Sequence, residues 1–86
     1  MIQSLSAPIS VDIHYDHHSR TFRPIQVTWE GRDYPILKLG LHHTYRAGRT
    51  LHHVFSVSSQ TLFFRLSLNT DTLNWTLEEL ADTETN

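Results

Sequence analysis

The chain has 86 residues, 38% of them hydrophobic, nine aromatics and a formal net charge of -2. That is room for one domain with one modest core, and it is too apolar for a disordered chain. There is no cysteine, so disulfides and thiolate metal sites are excluded, and no apolar run approaches the roughly 20 residues that span a bilayer as a helix.

Residues 1–8 show no basic n-region and no apolar h-region, which argues against a secretory signal and makes a cytoplasmic protein the expectation. Ile9, Val11, Ile13 and Tyr15 alternate with polar Ser10, Asp12 and His14, the period of a strand with one apolar face. Residues 16–20 are polar and read as a loop. Pro24 fits a strand start or an edge, because it has no ladder donor. Ile25, Val27 and Trp29 alternate next, and Glu30-Gly31-Arg32-Asp33 reads as a hairpin loop setting Trp29 opposite Tyr34 and Val27 opposite Ile36.

The strand from Tyr34 is expected to run on through Ile36, Leu37 and Leu39, with a bulge or bend at Gly40. A turn centred on Ala47-Gly48 follows. A strand from Leu51 to Ser58 then turns at Ser59-Gln60 and returns as residues 61–68, with Leu62, Phe64, Leu66 and Leu68 on one face. Asn69-Thr70-Asp71-Thr72 is a turn signal. Leu73, Trp75 and Leu77 fit a last strand, while Thr76 and Glu79 have capping-box spacing that allows a helical turn over residues 77–81. Residues 82–86 read as a frayed tail.

Six short strands joined by tight turns predict an all-β domain, residues 1–86, with an ordered core at about residues 9–80. The fold expected is a small antiparallel meander curled into a barrel or strongly bent sheet, which hides its edges. Trp29, Tyr34, Ile36, Phe64, Leu66, Trp75 and Leu77 are the core candidates, with Trp29 and Trp75 largely buried.

The run Pro24-x-x-Val27-x-Trp29-x-Gly31-Arg32-x-Tyr34-x-Ile36, then Phe55-x-Val57, Phe64-x-Leu66 and Trp75-x-Leu77-x-Glu79 resembles a small uncharacterised bacterial β-domain family, a domain of unknown function built on a Trp-x-Gly-Arg-x-Tyr hairpin. That family occurs alone or attached to Y-family (ImuB-like) DNA polymerases. The similarity covers roughly residues 9–80 and rests on hairpin and core positions, which specify fold better than function. It implies a β-domain in a DNA-repair setting and supplies no catalytic residue. Where those relatives carry a tryptophan after the second strand, this chain has His42-His43.

The charge is unevenly spread. Residues 1–68 hold all seven Lys and Arg against four acids, whereas residues 69–86 hold five acids and no base. The seven histidines include three adjacent pairs, His17-His18, His42-His43 and His52-His53, and the last two flank one turn. A turn at Ala47-Gly48 sets His43 opposite His52 and His42 opposite His53; a bulged turn sets His42 opposite His52 instead. Such a cluster suits a metal, a pH response or base stacking, or simply a solvated hairpin rim. Only two imidazoles converge in either register, fewer than the three or four protein ligands of zinc sites, so neither a metal nor another cofactor is expected.

Catalysis is not expected either. Ser56 and Ser58 alternate as a polar sheet face does, Ser59 follows at the turn, and the three glycines, Gly31, Gly40 and Gly48, sit at turns or bends instead of forming a phosphate loop. Tyr45, Arg46, Arg49, His43 and His52 gather at one exposed turn, and they are residue types suited to a binding surface. The sequence therefore predicts a non-enzymatic protein-interaction module. The alternative is a single-stranded nucleic-acid-binding accessory domain, in which Arg20, Arg23, Arg32, Arg46 and Arg49 track phosphates and Tyr45 stacks on a base.

Overall fold

The computed structural model of the chain describes residues 2–82. Eight strands follow in order: β1 (Ile2–Pro8), β2 (Ser10–Asp16), β3 (Thr21–Trp29), β4 (Arg32–Pro35), β5 (Lys38–Ala47), β6 (Thr50–Ser58), β7 (Leu62–Asn69) and β8 (Trp75–Asp82). All pairings are antiparallel. They make two sheets instead of a closed barrel: a five-stranded sheet ordered β1-β8-β7-β6-β5 and a three-stranded sheet ordered β2-β3-β4.

The chain changes sheet at two corners, and a Pro-Ile dipeptide marks each. At the first, Ile9 still donates its N–H to Trp75 of the larger sheet (3.3 Å), while Ser10 already pairs with Thr28 of the smaller. At the second, Ile36 donates to Ile25 in the smaller sheet (2.9 Å) and Leu37 to Ser58 in the larger (2.8 Å). Pro8 and Pro35 precede these steps, where a missing N–H interrupts a ladder at no extra cost. The third such dipeptide, Pro24-Ile25, lies at a bulge: Asp12 pairs with Gln26 and Ile13 with Pro24, leaving Ile25 unopposed.

These corners explain why six expected strands became eight. The strand read as continuous from Tyr34 to Leu39 is β4 and the start of β5, in different sheets. A further strand, β1, lies before the expected core and pairs with β8. Residues 77–81 are strand, not a helical turn. Arg65 pairs with Glu79 and Leu66 with Leu77, so a bulge at Glu78 breaks the alternation and returns Leu80 to the inner face opposite Phe64. Asp82, placed in the expected frayed tail, pairs with Leu62; the rest of that tail, residues 83–86, lies outside the described residues.

The core joins both sheets. Val27 from β3 packs with Phe55, Val57, Phe64, Leu66 and Leu77, all at most 1% exposed. The inner-face residues meet as cross-strand pairs, Phe55 with Leu66, Val57 with Phe64 and Leu66 with Leu77. Of the expected core, Phe64, Leu66 and Leu77 are fully buried. Trp29, Tyr34, Ile36 and Trp75 are only partly buried and pack around the rim of that cluster. Both tryptophans sit at strand ends, where the sheets no longer cover a large ring on every side.

The first hairpin closes more tightly than its sequence suggests. Glu30 and Gly31 alone form the turn, at φ 51° and 77°, so Trp29 pairs with Arg32 and Val27 with Tyr34, not Trp29 with Tyr34. Two positive φ values mark a type I′ turn, whose twist matches that of the strands. No atom lies within 4 Å of a Cβ built on Gly31, so a substitution there meets only backbone strain. Gly31→Val is expected to lower the unfolding free energy by about 1–2 kcal/mol, and Glu30→Asn to raise it, both measured by urea denaturation.

Candidate interaction surface

The β5–β6 hairpin carries all five residues read as one binding surface, His43, Tyr45, Arg46, Arg49 and His52. Its turn is Gly48-Arg49, with Gly48 at φ 63°, not Ala47-Gly48. The glycine takes the first central position, the place that a II′-type turn reserves for positive φ. Tyr45 is therefore opposite His52, Thr44 opposite His53, His43 opposite Val54 and His42 opposite Phe55. The expected lateral pairing of a histidine from 42/43 with one from 52/53 is absent. A slip of two residues preserves which face each side chain occupies, so the histidines become diagonal neighbours.

On the inner face, the diagonal pair is in direct contact. Nε2 of His42 and Nδ1 of His53 are 2.8 Å apart, one ring donating its N–H and the other accepting on a lone pair. The His42 ring stacks on Phe55 at 4.2 Å, and Phe22 from β3 meets His53 edge-on at 5.1 Å. Desolvation lowers the pKa of His42 below the ordinary histidine value, reinforced by the charges of His53 and His43; desolvation lowers that of His53 too. His14, Phe22, Arg23, Leu39 and His42 line a groove beside the pair. Among the described residues no three or more His, Cys, Asp or Glu are placed to hold a metal ion. His17 and His18 contact each other on the exposed β2–β3 turn, ring centroids 4.0 Å apart.

On the outer face, Tyr45 stacks on His52, with centroids 4.8 Å apart and planes within 5°. Beside this stack lies a depression of about 480 Å³, lined by Tyr45, Val54, Arg65, Ser67, Glu78 and Glu79 among others. Its polar groups are mutually engaged: Ser67 donates to Glu78 at 2.7 Å, and Arg65 approaches Glu79 at 4.0 Å.

The edge of the sheet is the most exposed element. All ten residues of β5 are exposed, and the strand pairs with β6 on one side only. Leu37, just before it, is 69% exposed, Leu41 58% and Tyr45 46%. The bulge at Gly40 is tight, since a Cβ there would lie 3.3 Å from the Ser56 carbonyl oxygen. Beyond it, residues 41–47 form an unbroken ladder with β6, and the opposite row of backbone donors and acceptors has no strand beside it.

The hairpin tip is held from one side. Thr50 donates to Asp71 at 2.7 Å, and Thr70 donates to the Leu51 carbonyl through both its hydroxyl (2.8 Å) and its N–H (3.1 Å). Asn69 caps that β7–β8 turn by accepting from the N–H groups of Asp71 and Thr72. Asp71→Ala is expected to cost about 1 kcal/mol and to speed amide exchange at Thr50 and Leu51, measured by NMR.

The five residues read as a binding surface thus divide between places. His43, Tyr45 and His52 share the outer face, Arg46 lies opposite Leu51, and Arg49 is in the turn, its carbonyl accepting from Arg46 at 3.4 Å. Sequence reasoning set His42 across from His53 in one of its two registers, as a lateral pair and not the diagonal contact found, and it did not place the open β5 edge. A signal for the contact was the alternation of His53 with Phe55 and Val57, which sends that histidine inward.

No protein-family model, no curated protein and no solved structure matches this chain. No described helix is long and apolar enough to cross a membrane.

Proposed function

We propose that the protein is a non-enzymatic interaction module that docks a protein partner along the open edge of β5. One observation carries the reading: a ten-residue edge strand with every residue exposed and with Leu37, Leu41 and Tyr45 beside its unpaired backbone. Proteins blunt such edges with lysines and bulges, as Lys38 and the Gly40 bulge do here, and the unbulged stretch beyond them, residues 41–47, is left as a template for an incoming strand. Main-chain hydrogen bonds then supply affinity, and alternate side chains supply selectivity. Beyond the bulge, Leu41, His43 and Tyr45 alternate on one face and offer that selectivity.

Single-stranded nucleic acid in a DNA-repair setting is the second reading, and the same geometry supports it less. Arg20, Arg23 and Arg32 belong to the smaller sheet or its turns, and Arg46 and Arg49 to the larger. One face of the Tyr45 ring is already covered by His52, which leaves a single face for stacking on a base.

A photocrosslinking comparison tests the edge reading. Leu41→benzoylphenylalanine should trap protein adducts in cells, and the same replacement at Ile25, 43% exposed on the smaller sheet, should not. Equal trapping at both positions, or trapping at Ile25 alone, would remove β5 as the docking edge.

A further inference from the structure

We infer that the β5 edge takes an acidic extended segment, about seven residues of which add as a strand along residues 41–47; this rests on the edge-docking reading above. Charge is the argument. No Asp or Glu occurs from Tyr34 to Thr70, a stretch that holds Lys38, Arg46, Arg49, Arg65 and four histidines. Topology turns this sequence asymmetry into a spatial one. β5 is one edge of the five-stranded sheet, and the acids Glu78, Glu79 and Asp82 lie on β8, beside the opposite edge strand, while Asp71, at the hairpin tip, is engaged by Thr50.

Within that sheet the cation nearest the β8 acids has a counter-charge within reach, and those at the β5 edge do not. Arg65, on β7, lies across from Glu79 and pairs with it. Lys38, Arg46 and Arg49 make no ion pair among the described residues. An incoming strand with carboxylates near Arg46 and Arg49 would supply the missing counter-charges. Its apolar positions would meet Leu41 and Tyr45, which face the same side with His43 between them. Like charges placed directly opposite destabilise a cross-strand pair, so a lysine-bearing segment is disfavoured. A second copy of β5, paired antiparallel over residues 41–47 and so centred on Thr44, would set Arg46 against His42 at both ends and bring no carboxylate to either arginine.

The bulge sets the length. At Gly40 the ladder slips, with Leu39 opposite Val57 and Leu41 opposite Ser56, and the twist it adds turns the edge away from a straight partner. The straight part, residues 41–47, spans roughly 23 Å at about 3.3 Å per residue.

Fluorescein-labelled peptides test the inference by anisotropy, with amide exchange of β5 as the structural readout. The probes are a nine-residue peptide alternating Val and Glu, its Val/Lys counterpart and a ten-nucleotide oligothymidylate, all at low ionic strength. The acidic peptide is expected to bind at least tenfold more tightly than the Val/Lys peptide and to slow exchange of β5 amides. The double variant Arg46→Glu/Arg49→Glu should lose that preference while keeping the fold, checked by its unchanged strand circular dichroism.

Equal binding of the two peptides with β5 protection would remove the acidic partner and leave the edge reading intact. If no peptide protects β5, both fall. Tighter binding of oligothymidylate than of the acidic peptide, or dimerisation through β5 seen by sedimentation and exchange, would also overturn the inference.

Discussion

Phe55→Ala is expected to lower the unfolding free energy by about 3–5 kcal/mol, the range for emptying a packed phenylalanine site. The side chain is fully buried at the centre of β6, between β5 and β7. Its ring lies 4.2 Å from that of His42, 5.5 Å from that of Phe22 on the other sheet and 5.8 Å from that of Trp75. Truncation therefore removes contacts within one sheet and between the two. Stabilities of small domains run to about 5–15 kcal/mol, so the loss takes a large share of the total. Trp75→Ala should cost less, because that ring is only partly buried. Urea denaturation of the two variants gives the order, and a Phe55→Ala cost under about 1 kcal/mol would show that the ring does not join the sheets.

That ordering shows where sequence reasoning succeeded and stopped. Period-two alternation made Phe64, Leu66 and Leu77 legible as core because each lies mid-strand with apolar neighbours two residues away. The same pattern overrated Trp29 and Trp75, since hydrophobic size says nothing about whether a position falls at a strand end. Phe55 and Val57 carried the same alternation and anchor the centre of the larger sheet. β1 was missed because Leu5 and Ala7 alternate with serines too weakly to announce a strand; pairing with β8 makes it one. The corners had a local signal, proline before isoleucine at Pro8 and Pro35, but a proline alone does not say whether a strand bulges, as at Pro24, or changes sheet.

The candidate site was legible as a region and not as a geometry. The choice of Tyr45, Arg46, Arg49, His43 and His52 gathered residues that do share one hairpin, β5–β6, because aromatic and cationic residues at a turn stand out by type. Which histidines touch depended on a turn displaced by one residue along the chain, and that was decided by where Gly48 could take a positive φ. The openness of β5 depended on sheet order, which no local pattern encodes.

Acidification is expected to destabilise the protein at the contact between His42 and His53, starting as the pH falls below the ordinary histidine value of 6.5. Desolvation lowers the folded-state pKa of both rings, helped at His42 by the charges of His53 and His43. The unfolded chain then binds protons more readily than the folded one, so stability is full above 6.5 and is lost as pH falls through the lowered folded values. Geometry gives the same sign. The 2.8 Å contact needs one lone pair between Nε2 and Nδ1, and two imidazolium rings have none. Arg23, which lines the adjoining groove with His42, adds further positive charge beside the pair. Asp16 acts in a separate window. The N–H of His18, donated to it at 2.9 Å, is the main cause holding its carboxyl below the usual aspartate value of 3.8, so its contribution fades only at more acidic pH. The thermal midpoint should therefore fall between pH 7.5 and pH 5, and His42→Phe/His53→Leu should flatten that fall. An equally steep fall in the double variant would assign the acid sensitivity to histidines elsewhere in the chain.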